Sequence, residues 1–335
     1  MRIARASPLL VASSSRAGSK ELATEVAKPA RKNASRRFAS SARRRVPLRF
    51  PAAMALRILA LGDIVGRPGR QVVHQKLAGI VREHKVDLVI ANAENIAGGS
   101  GITRNLFDKI RSYGIDVVTL GDHIYKKIDI VPTLQASERI VRPANLSSNA
   151  AGRPYTCVTT NGGVNVCVFS LLGRIFMNLP SDDPFAAANR VLDQMPGNVR
   201  IAVCDIHAEA SSEKIALGHW LDGRVSFIFG THTHVPTADA KILPGGSAFI
   251  SDLGMCGPYD SVLGRRKDRV LKYMTTNMPV PFDVATGDVR LCGAIADIDP
   301  DTGRALSIER IEVQGEASEQ AYDADDKPPP APKEA

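Results

Sequence analysis

Short apolar runs alternate with amphipathic segments along the first part of the folded chain. Three runs are short and rich in branched residues, which is typical of buried strands: 56–61, 86–91 and 116–120. A glycine-rich turn over 62–69 follows the first run. It leads to a helix predicted to end near His84, on which five apolar residues recur at helical spacing: Val72, Val73, Leu77, Ile80 and Val81. A second helix is expected to begin near Thr103, whose hydroxyl can cap it. This alternation predicts βαβ units with parallel strand pairs.

The pattern becomes richer in hairpins after Asn145. Two apolar runs, 155–160 and 164–171, flank Asn161-Gly162-Gly163, which is a typical hairpin turn. The remaining predicted elements are helices over 183–195 and 211–220 and strands over 199–205, 225–229, 247–251, 289–297 and 305–313. Together these elements predict a globular α/β protein.

The two ends of the chain differ in composition from the part between them. Residues 1–53 contain 13 Lys and Arg against two Glu, a net charge of +11. Because the whole chain has a net charge of +8, the remaining residues have a net charge of −3. Their arginine- and serine-rich composition is typical of an organelle transit peptide, but a start codon assigned too far upstream would give the same composition. We therefore expect a non-structural basic leader over 1–53, a folded domain over 54–314, and a disordered acidic, proline-rich tail over 315–335.

Composition also narrows the class of protein. No apolar run approaches the roughly 18 residues that a membrane span needs. The balance of −3 outside the leader argues against strong nucleic-acid binding. The five cysteines include no C-x-x-C pair and fall mostly in apolar runs, which favours small buried side chains in a reducing compartment: Cys157, Cys167, Cys204, Cys256 and Cys292. We therefore predict a cytoplasmic protein, with an organelle as the alternative.

Residues of the kind that bind metals follow several predicted strands. His232 and His234 follow the run 225–229, and at two residues apart on extended chain they share one face. Other strand ends carry Asp63, Glu94 and Asn95, Asp122 and His123, and His207. Each residue alone has a structural explanation, such as a helix cap for Asp63 or a buried core histidine at 207. Five such strand ends together predict a metal site, because ligands collect at the carboxyl ends of strands in α/β sheets. Mixed oxygen and imidazole ligands suit Mn, Fe or Zn better than Ca or Mg.

These residues, in this order, resemble the motifs of calcineurin-like metallophosphoesterases. The chain is more narrowly similar to the bacterial YmdB-type subfamily of cyclic-nucleotide phosphodiesterases, through four further segments: 66–69 (GRPG), 182–185 (DDPF), 207–214 (HAEASSEK) and 257–260 (GPYD). The resemblance covers roughly residues 56–313. It implies a four-layer α/β/β/α sandwich with two facing mixed sheets.

The resemblance also implies a role for each candidate residue. One metal would be held by Asp63, Glu94, Asn95 and His234. A second metal, bridged by Glu94, would be completed by Asp122, His207 and His232. His123 would be the general acid that protonates the leaving alkoxide. Two transition metal ions are therefore expected, with Fe or Mn preferred and Zn as the alternative.

Two positions depart from the wider pattern. Many calcineurin-like enzymes have Asp-x-His at the first motif, whereas position 65 is Val65, a loss that the YmdB-type subfamily shares. The third motif usually has Asn-His, whereas this chain has Asp122 before His123. The added negative charge should hold a metal more tightly and raise the pKa of a bound water. This departure makes metal binding a firmer expectation than turnover.

The predicted function is hydrolysis of small phosphodiesters, in particular 2′,3′-cyclic nucleotides, by metal-bound hydroxide with His123 as general acid. A metal-binding regulatory protein with vestigial catalysis is one alternative, motivated by Asp122. A nuclease is the other, and the negative charge outside the leader argues against its long polyanionic substrates. The expected partner is the small phosphodiester substrate, with no membrane, and with homo-oligomer formation left open.

Overall fold

A computed structural model describes residues 55–326, so the predicted leader over 1–53 lies outside the described residues. The helices are α1 (Gly66–His84), α2 (Arg104–Ser112), α3 (Val131–Ala136), α4 (Pro184–Gln194), α5 (Ser211–Leu221) and α6 (Lys267–Thr276), with short 3-10 helices at Ile128–Ile130 and Ala324–Asp326. Among the helices of this part of the chain, none combines the length and apolar character that crossing a bilayer requires.

One sheet has seven strands in the order β2-β11-β12-β1-β3-β4, with β13 also paired to β12. These strands are β1 (Leu56–Leu61), β2 (Asp63–Ile64), β3 (Leu88–Asn92), β4 (Val117–Thr119), β11 (Met255–Pro258), β12 (Val289–Ile298) and β13 (Ala305–Gln314). Strands β1, β3 and β4 are parallel neighbours, as the alternating pattern predicts. Strand β12 runs antiparallel to β1 and makes the sheet mixed.

The other sheet has six strands in the order β5-β6-β7-β8-β10-β9. These strands are β5 (Tyr155–Thr159), β6 (Asn165–Leu172), β7 (Ile201–His207), β8 (Phe227–Thr231), β9 (Lys241–Ile242) and β10 (Ala248–Ile250). The predicted hairpin is confirmed, since β5 and β6 pair antiparallel around the turn. Strands β6, β7 and β8 are parallel, so this sheet is mixed as well.

Side-chain alternation along the strands stacks the sheets and helices into four layers. On β1, Ile58 and Ala60 join an apolar core that also contains Val203 of β7 and Phe227 of β8, so this core lies between the sheets. Leu59 belongs to a second core with apolar residues of α1 and α2, on the opposite face of its sheet. A third core joins the outer face of the other sheet to α4 and α5. The predicted α/β/β/α sandwich is therefore confirmed.

Several elements differ from the sequence-based expectation. The predicted turn over 62–69 contains β2, and α1 already begins at Gly66, whose φ of +57° is one that glycine adopts easily. Strand β11 was not predicted, because its four residues MCGP include Gly and Pro and its stability comes from pairing with both β2 and β12. Helix α6 was not predicted because Val270 is its one buried residue, so no apolar face marks it in the sequence.

The cysteine expectation needs a correction. Cys157 and Cys167 form a disulfide, because the β5–β6 register places them directly opposite each other. Cys204, Cys256 and Cys292 are free and buried, as expected of small core residues. The pairing was not visible in the sequence spacing, since it depends on hairpin register.

The predicted boundary of the tail at residue 315 is also displaced. Residues 315–326 pack against the domain, and the rest of the tail lies outside the described residues. Arg70 of α1 is almost completely buried, and its guanidinium pairs with Asp323 at 2.7 Å and Asp326 at 2.8 Å. Asp326 also accepts a hydrogen bond from the Gly98 backbone N–H at 2.8 Å. Acidic composition predicts disorder only where the acids lack partners, and here the folded domain provides them.

Replacing Asp326 with alanine is expected to destabilise the domain. The change leaves the buried Arg70 guanidinium without the more buried of its two carboxylate partners, so we expect a loss of about 1–3 kcal/mol in the free energy of unfolding. Denaturant unfolding measures this loss. Asp325→Ala is the matched control, because Asp325 pairs with the partly exposed Lys109 and should cost less than about 1 kcal/mol. Equal losses for the two variants would contradict the importance of the Arg70 pair.

Candidate metal centre

The two sheets bring all eight predicted site residues to one edge of the sandwich. They lie on or immediately after five strands: Asp63 on β2, Glu94 and Asn95 after β3, Asp122 and His123 after β4, His207 at the end of β7, and His232 and His234 after β8. The parallel register of β7 and β8 places His207 directly beside Thr231. The convergence expected from the strand ends is therefore present in the fold.

Four of these residues form a tight cluster with the chemistry of a cation site. Glu94, Asp122, His207 and His232 each offer a ligand atom, and these atoms all lie within 4.8 Å of one another. His207 Nε2 is 3.2 Å from both Glu94 Oε1 and Asp122 Oδ1. It is also 3.0 Å from His232 Nδ1.

Hydrogen bonds alone cannot account for this cluster. An imidazole nitrogen has either one proton or one lone pair, so His207 Nε2 cannot satisfy three neighbours at once. A cation bound between the four side chains would be coordinated by one ligand atom from each of them. Two carboxylates with two imidazoles are ligands that transition metals such as Mn, Fe and Zn accept. The residues therefore fit a metal ion.

Asp63, Asn95 and His234 form an adjoining group on the other side of Glu94. His234 Nε2 is 3.6 Å from Asp63 Oδ1 and 3.2 Å from Asn95 Nδ2. Asn95 Nδ2 is also 3.3 Å from Glu94 Oε1, the oxygen that faces His207. Glu94 thus contacts both groups. In this orientation Asn95 presents its nitrogen to the group. A half-turn of the amide exchanges nitrogen and oxygen, and a cation would require the oxygen.

His123 lies at the solvent side of the cluster. Its side chain is 29% exposed, against 14% for Asp122, its neighbour in the chain. The His123 backbone N–H donates to Glu94 Oε2 at 2.9 Å, and its Nδ1 is 2.7 Å from Asn95 Oδ1. Its Nε2 is 3.8 Å from Asp122 Oδ2. The two neighbouring side chains therefore border the same cluster instead of pointing fully apart, and His123 is the more exposed of the two.

The electrostatics of the metal-free cluster couple these groups strongly. Burial opposes the charge on Asp63, but His234 and His207 outweigh it and hold the pKa of Asp63 well below its usual value. Burial likewise opposes a charge on His207, but Glu94 and Asp122 outweigh it and raise the pKa of His207 well above its usual value. The pKa of Asp122 is lowered despite its burial, mainly by His207 and His232. Without a metal, ionised Asp63 and Asp122 therefore lie close to a protonated His207.

Metal uptake is consequently expected to release protons near neutral pH. A metal needs the neutral imidazole nitrogen, so it must displace the proton that the raised pKa keeps on His207. Asp63 and Asp122 add no protons, because their lowered pKa values leave them ionised. Apparent metal affinity should therefore continue to rise with pH above about 6.5, the usual histidine pKa, because His207 keeps its proton beyond that pH. Calorimetric titration in two buffers of different ionisation enthalpy counts the protons. Binding that is independent of pH, with no proton release, would contradict this prediction.

A buried polar network behind His207 was not predicted from the sequence. Thr231 Oγ1 donates to Asp205 Oδ1 at 2.6 Å and lies 2.8 Å from His207 Nδ1. The Thr231 proton is used by Asp205, so Thr231 accepts from His207 Nδ1–H, which leaves Nε2 to face the cluster. Thr119 and Asn92, from the facing sheet, donate to Asp205 Oδ2. The one available signal was an Asp within an otherwise apolar strand, two residues before His207.

The two facing mixed sheets and the carboxylate–histidine cluster at their edge define a metallophosphoesterase, a class of phosphoester hydrolases. Within this class the chain belongs to the YmdB-like family, whose sequence model matches residues 59–311. The chain is 42% identical over 256 residues to the 2′,3′-cyclic-nucleotide 2′-phosphodiesterase of Bacillus subtilis (strain 168). The aligned region covers 76% of this chain and 96% of that protein.

Two solved structures share the fold. A crystal structure of a novel phosphatase from Mycoplasma pneumoniae superposes with a TM-score of 0.73 at 31% identity, over 78% of this chain and 94% of that one. A hypothetical protein from Thermus thermophilus gives a TM-score of 0.72 at 37% identity, over 77% of this chain and 99% of that one. The predicted fold class and family are both confirmed.

Proposed function

We propose that this protein is a dinuclear metal-dependent phosphodiesterase that hydrolyses 2′,3′-cyclic nucleotides. The observation that carries the proposal is the position of Glu94, whose carboxylate contacts the group of Asp63, Asn95 and His234 on one side and His207 on the other. A carboxylate in this position can hold two cations at a fixed spacing. The activity of the Bacillus subtilis relative supports cyclic nucleotides as the substrate class.

The chain provides two ligand sets around Glu94. Asp63, Asn95 and His234 would complete one set, and Asp122, His207 and His232 the other. Two bound ions, with Fe or Mn preferred and Zn as the alternative, would supply an activated water and neutralise the phosphoryl charge. Asp205 and Thr231 orient His207 so that its Nε2 stays available to this site.

His123 is proposed as the general acid. Contact between its Nδ1 and the side-chain amide of Asn95 fixes the orientation of the ring, so Nε2 is the nitrogen that can give a proton to the departing sugar oxygen. The partial exposure of the ring gives a bound nucleotide access to it. Protonation of a poor alkoxide leaving group lowers the barrier to its departure, which is the role of a general acid.

Elemental analysis with a panel of cyclic nucleotides tests this function. The protein as purified, or reconstituted with Mn²⁺ or Fe²⁺, should contain two ions per chain and hydrolyse 2′,3′-cyclic nucleotides. Single-stranded RNA in the same assay tests the nuclease alternative and should remain intact. One ion or none per chain in every preparation would refute the dinuclear site.

A regulatory metal-binding protein is the second candidate, favoured by Asp122 in place of the usual Asn. Its extra negative charge strengthens metal binding but raises the pKa of a bound water. Two ions per chain with no hydrolysis of any nucleotide in the panel would favour this function. Asp122→Asn would then be expected to restore activity.

A further inference from the structure

A buried ion pair lies beneath the segment that carries His232 and His234. Lys214 of α5 and Asp252 are both almost completely buried, and Lys214 Nζ donates to Asp252 Oδ2 at 2.6 Å. Neither residue faces solvent, and their charges compensate each other. The Lys214 side chain runs past Gly230, where a Cβ atom would lie 2.9 Å from its Cδ and closer still to the Ser251 carbonyl. Gly230 on β8 therefore makes room first for the Ser251 carbonyl and also for the stem of the lysine.

The histidine segment itself has an unfavourable backbone. His232 has φ of +92° and His234 has φ of +62°, in the left-handed region that residues with a side chain rarely adopt. Two such residues on either side of one threonine persist only where the surrounding structure imposes them. The fold must therefore contain contacts that hold this segment in place.

Thr233, between the two histidines, makes that connection. Its hydroxyl donates to Asp252 Oδ2 at 2.7 Å, and its backbone N–H contacts the same oxygen at 3.3 Å. The other oxygen of Asp252 accepts from Gly254 N–H at 2.8 Å. Asp252 is thus fixed by Lys214 and Gly254, and it fastens the strained segment at its centre.

We propose that Lys214 and Asp252 are positioning residues for the metal centre, acting through Thr233 to hold His232 and His234 in their ligand geometry. The inference rests on the proposed dinuclear site, since the two histidines belong to its two different ligand sets. One buried pair therefore controls a ligand in each set. Loss of the pair should weaken both metal sites together, by the roughly 10- to 100-fold that loss of an outer-shell contact typically costs.

Titration of Mn²⁺ into the metal-free protein tests the proposal without measuring activity. Thr233→Val removes only the hydroxyl that bonds Asp252 and should weaken Mn²⁺ binding roughly 10- to 100-fold. Thr233→Ser keeps a hydroxyl and should stay close to wild type. Lys214→Met leaves Asp252 buried without its cation and should weaken Mn²⁺ binding at least as much as Thr233→Val.

Arg57→Met is the matched control, because it breaks the Arg57–Asp297 ion pair on β1 and β12 and contacts no site residue. It should lower thermal stability while leaving Mn²⁺ affinity unchanged. If Lys214→Met fails to fold, Thr233→Val and Thr233→Ser still decide the outcome. Wild-type Mn²⁺ affinity in Thr233→Val would overturn this inference alone. A wild-type protein that binds no Mn²⁺ would overturn the proposed metal site and this inference with it.

Discussion

Replacing Glu94 with alanine is expected to abolish the metal pair and activity together. Among the proposed ligands, Glu94 is the one carboxylate whose side chain contacts side chains of both groups, and it is fully buried. Without it the two ligand sets share no anion, so two cations would repel each other across the cluster. Elemental analysis should fall from two ions per chain to one or none, and hydrolysis of 2′,3′-cyclic nucleotides to the level of metal-free protein.

The same variant should also be less stable in the presence of metal. A ligand that binds only the folded state stabilises it, by about 2.7 kcal/mol at a concentration 100 times its Kd. This gain, measured as the shift in Tm on adding Mn²⁺, should largely disappear in Glu94→Ala. Glu138→Ala, at a surface pair with Arg153, is the control and should keep both ions and the full shift. Retention of two ions per chain in Glu94→Ala would disprove the bridging role.

Replacing His123 with alanine is expected to separate catalysis from metal binding. His123 belongs to neither proposed ligand set, so the variant should keep two ions per chain. Its turnover of 2′,3′-cyclic nucleotides should fall by about 10²- to 10⁴-fold, the usual contribution of a general acid. A nitrophenyl phosphodiester, whose leaving group needs no proton, should lose much less. Steady-state rates on both substrates, with metal content determined for each preparation, measure the effect.

The comparison of substrates also tests whether His123 has a purely structural role. Its backbone N–H and Nδ1 contact Glu94 and Asn95, so a structural role predicts that both substrates lose rate equally. Equal losses with both ions retained would rule out the general acid. His219→Ala, an exposed histidine near the end of α5, is the control for histidine removal and should change neither rate.

The sequence by itself determined the elements whose physical cause is local. Strand β1 begins at Leu56 and ends at Leu61, the bounds that its apolar run predicts. The hydroxyl of Thr103 caps α2 by accepting from Leu106 N–H. The candidate ligands were also visible, because each directly follows or ends an apolar strand, and parallel strands bring such ends to one edge. Family resemblance then assigned their roles, including that of Glu94.

Only the tertiary structure decided which distant residues support those ligands. Asp252 follows β10 and Lys214 lies on α5, and no periodicity shows that they meet beneath Thr233. Asp205 has a partner in the facing sheet, Thr119, across a layer boundary that no local pattern encodes. The contacts of the acidic tail differ from the expected disorder for the same reason. Composition reflects only the preference of the segment itself, whereas Arg70, far earlier in the chain, pairs with Asp323 of the tail. Buried polar groups must be satisfied wherever the fold places them, so their partners are known only when the chain is packed.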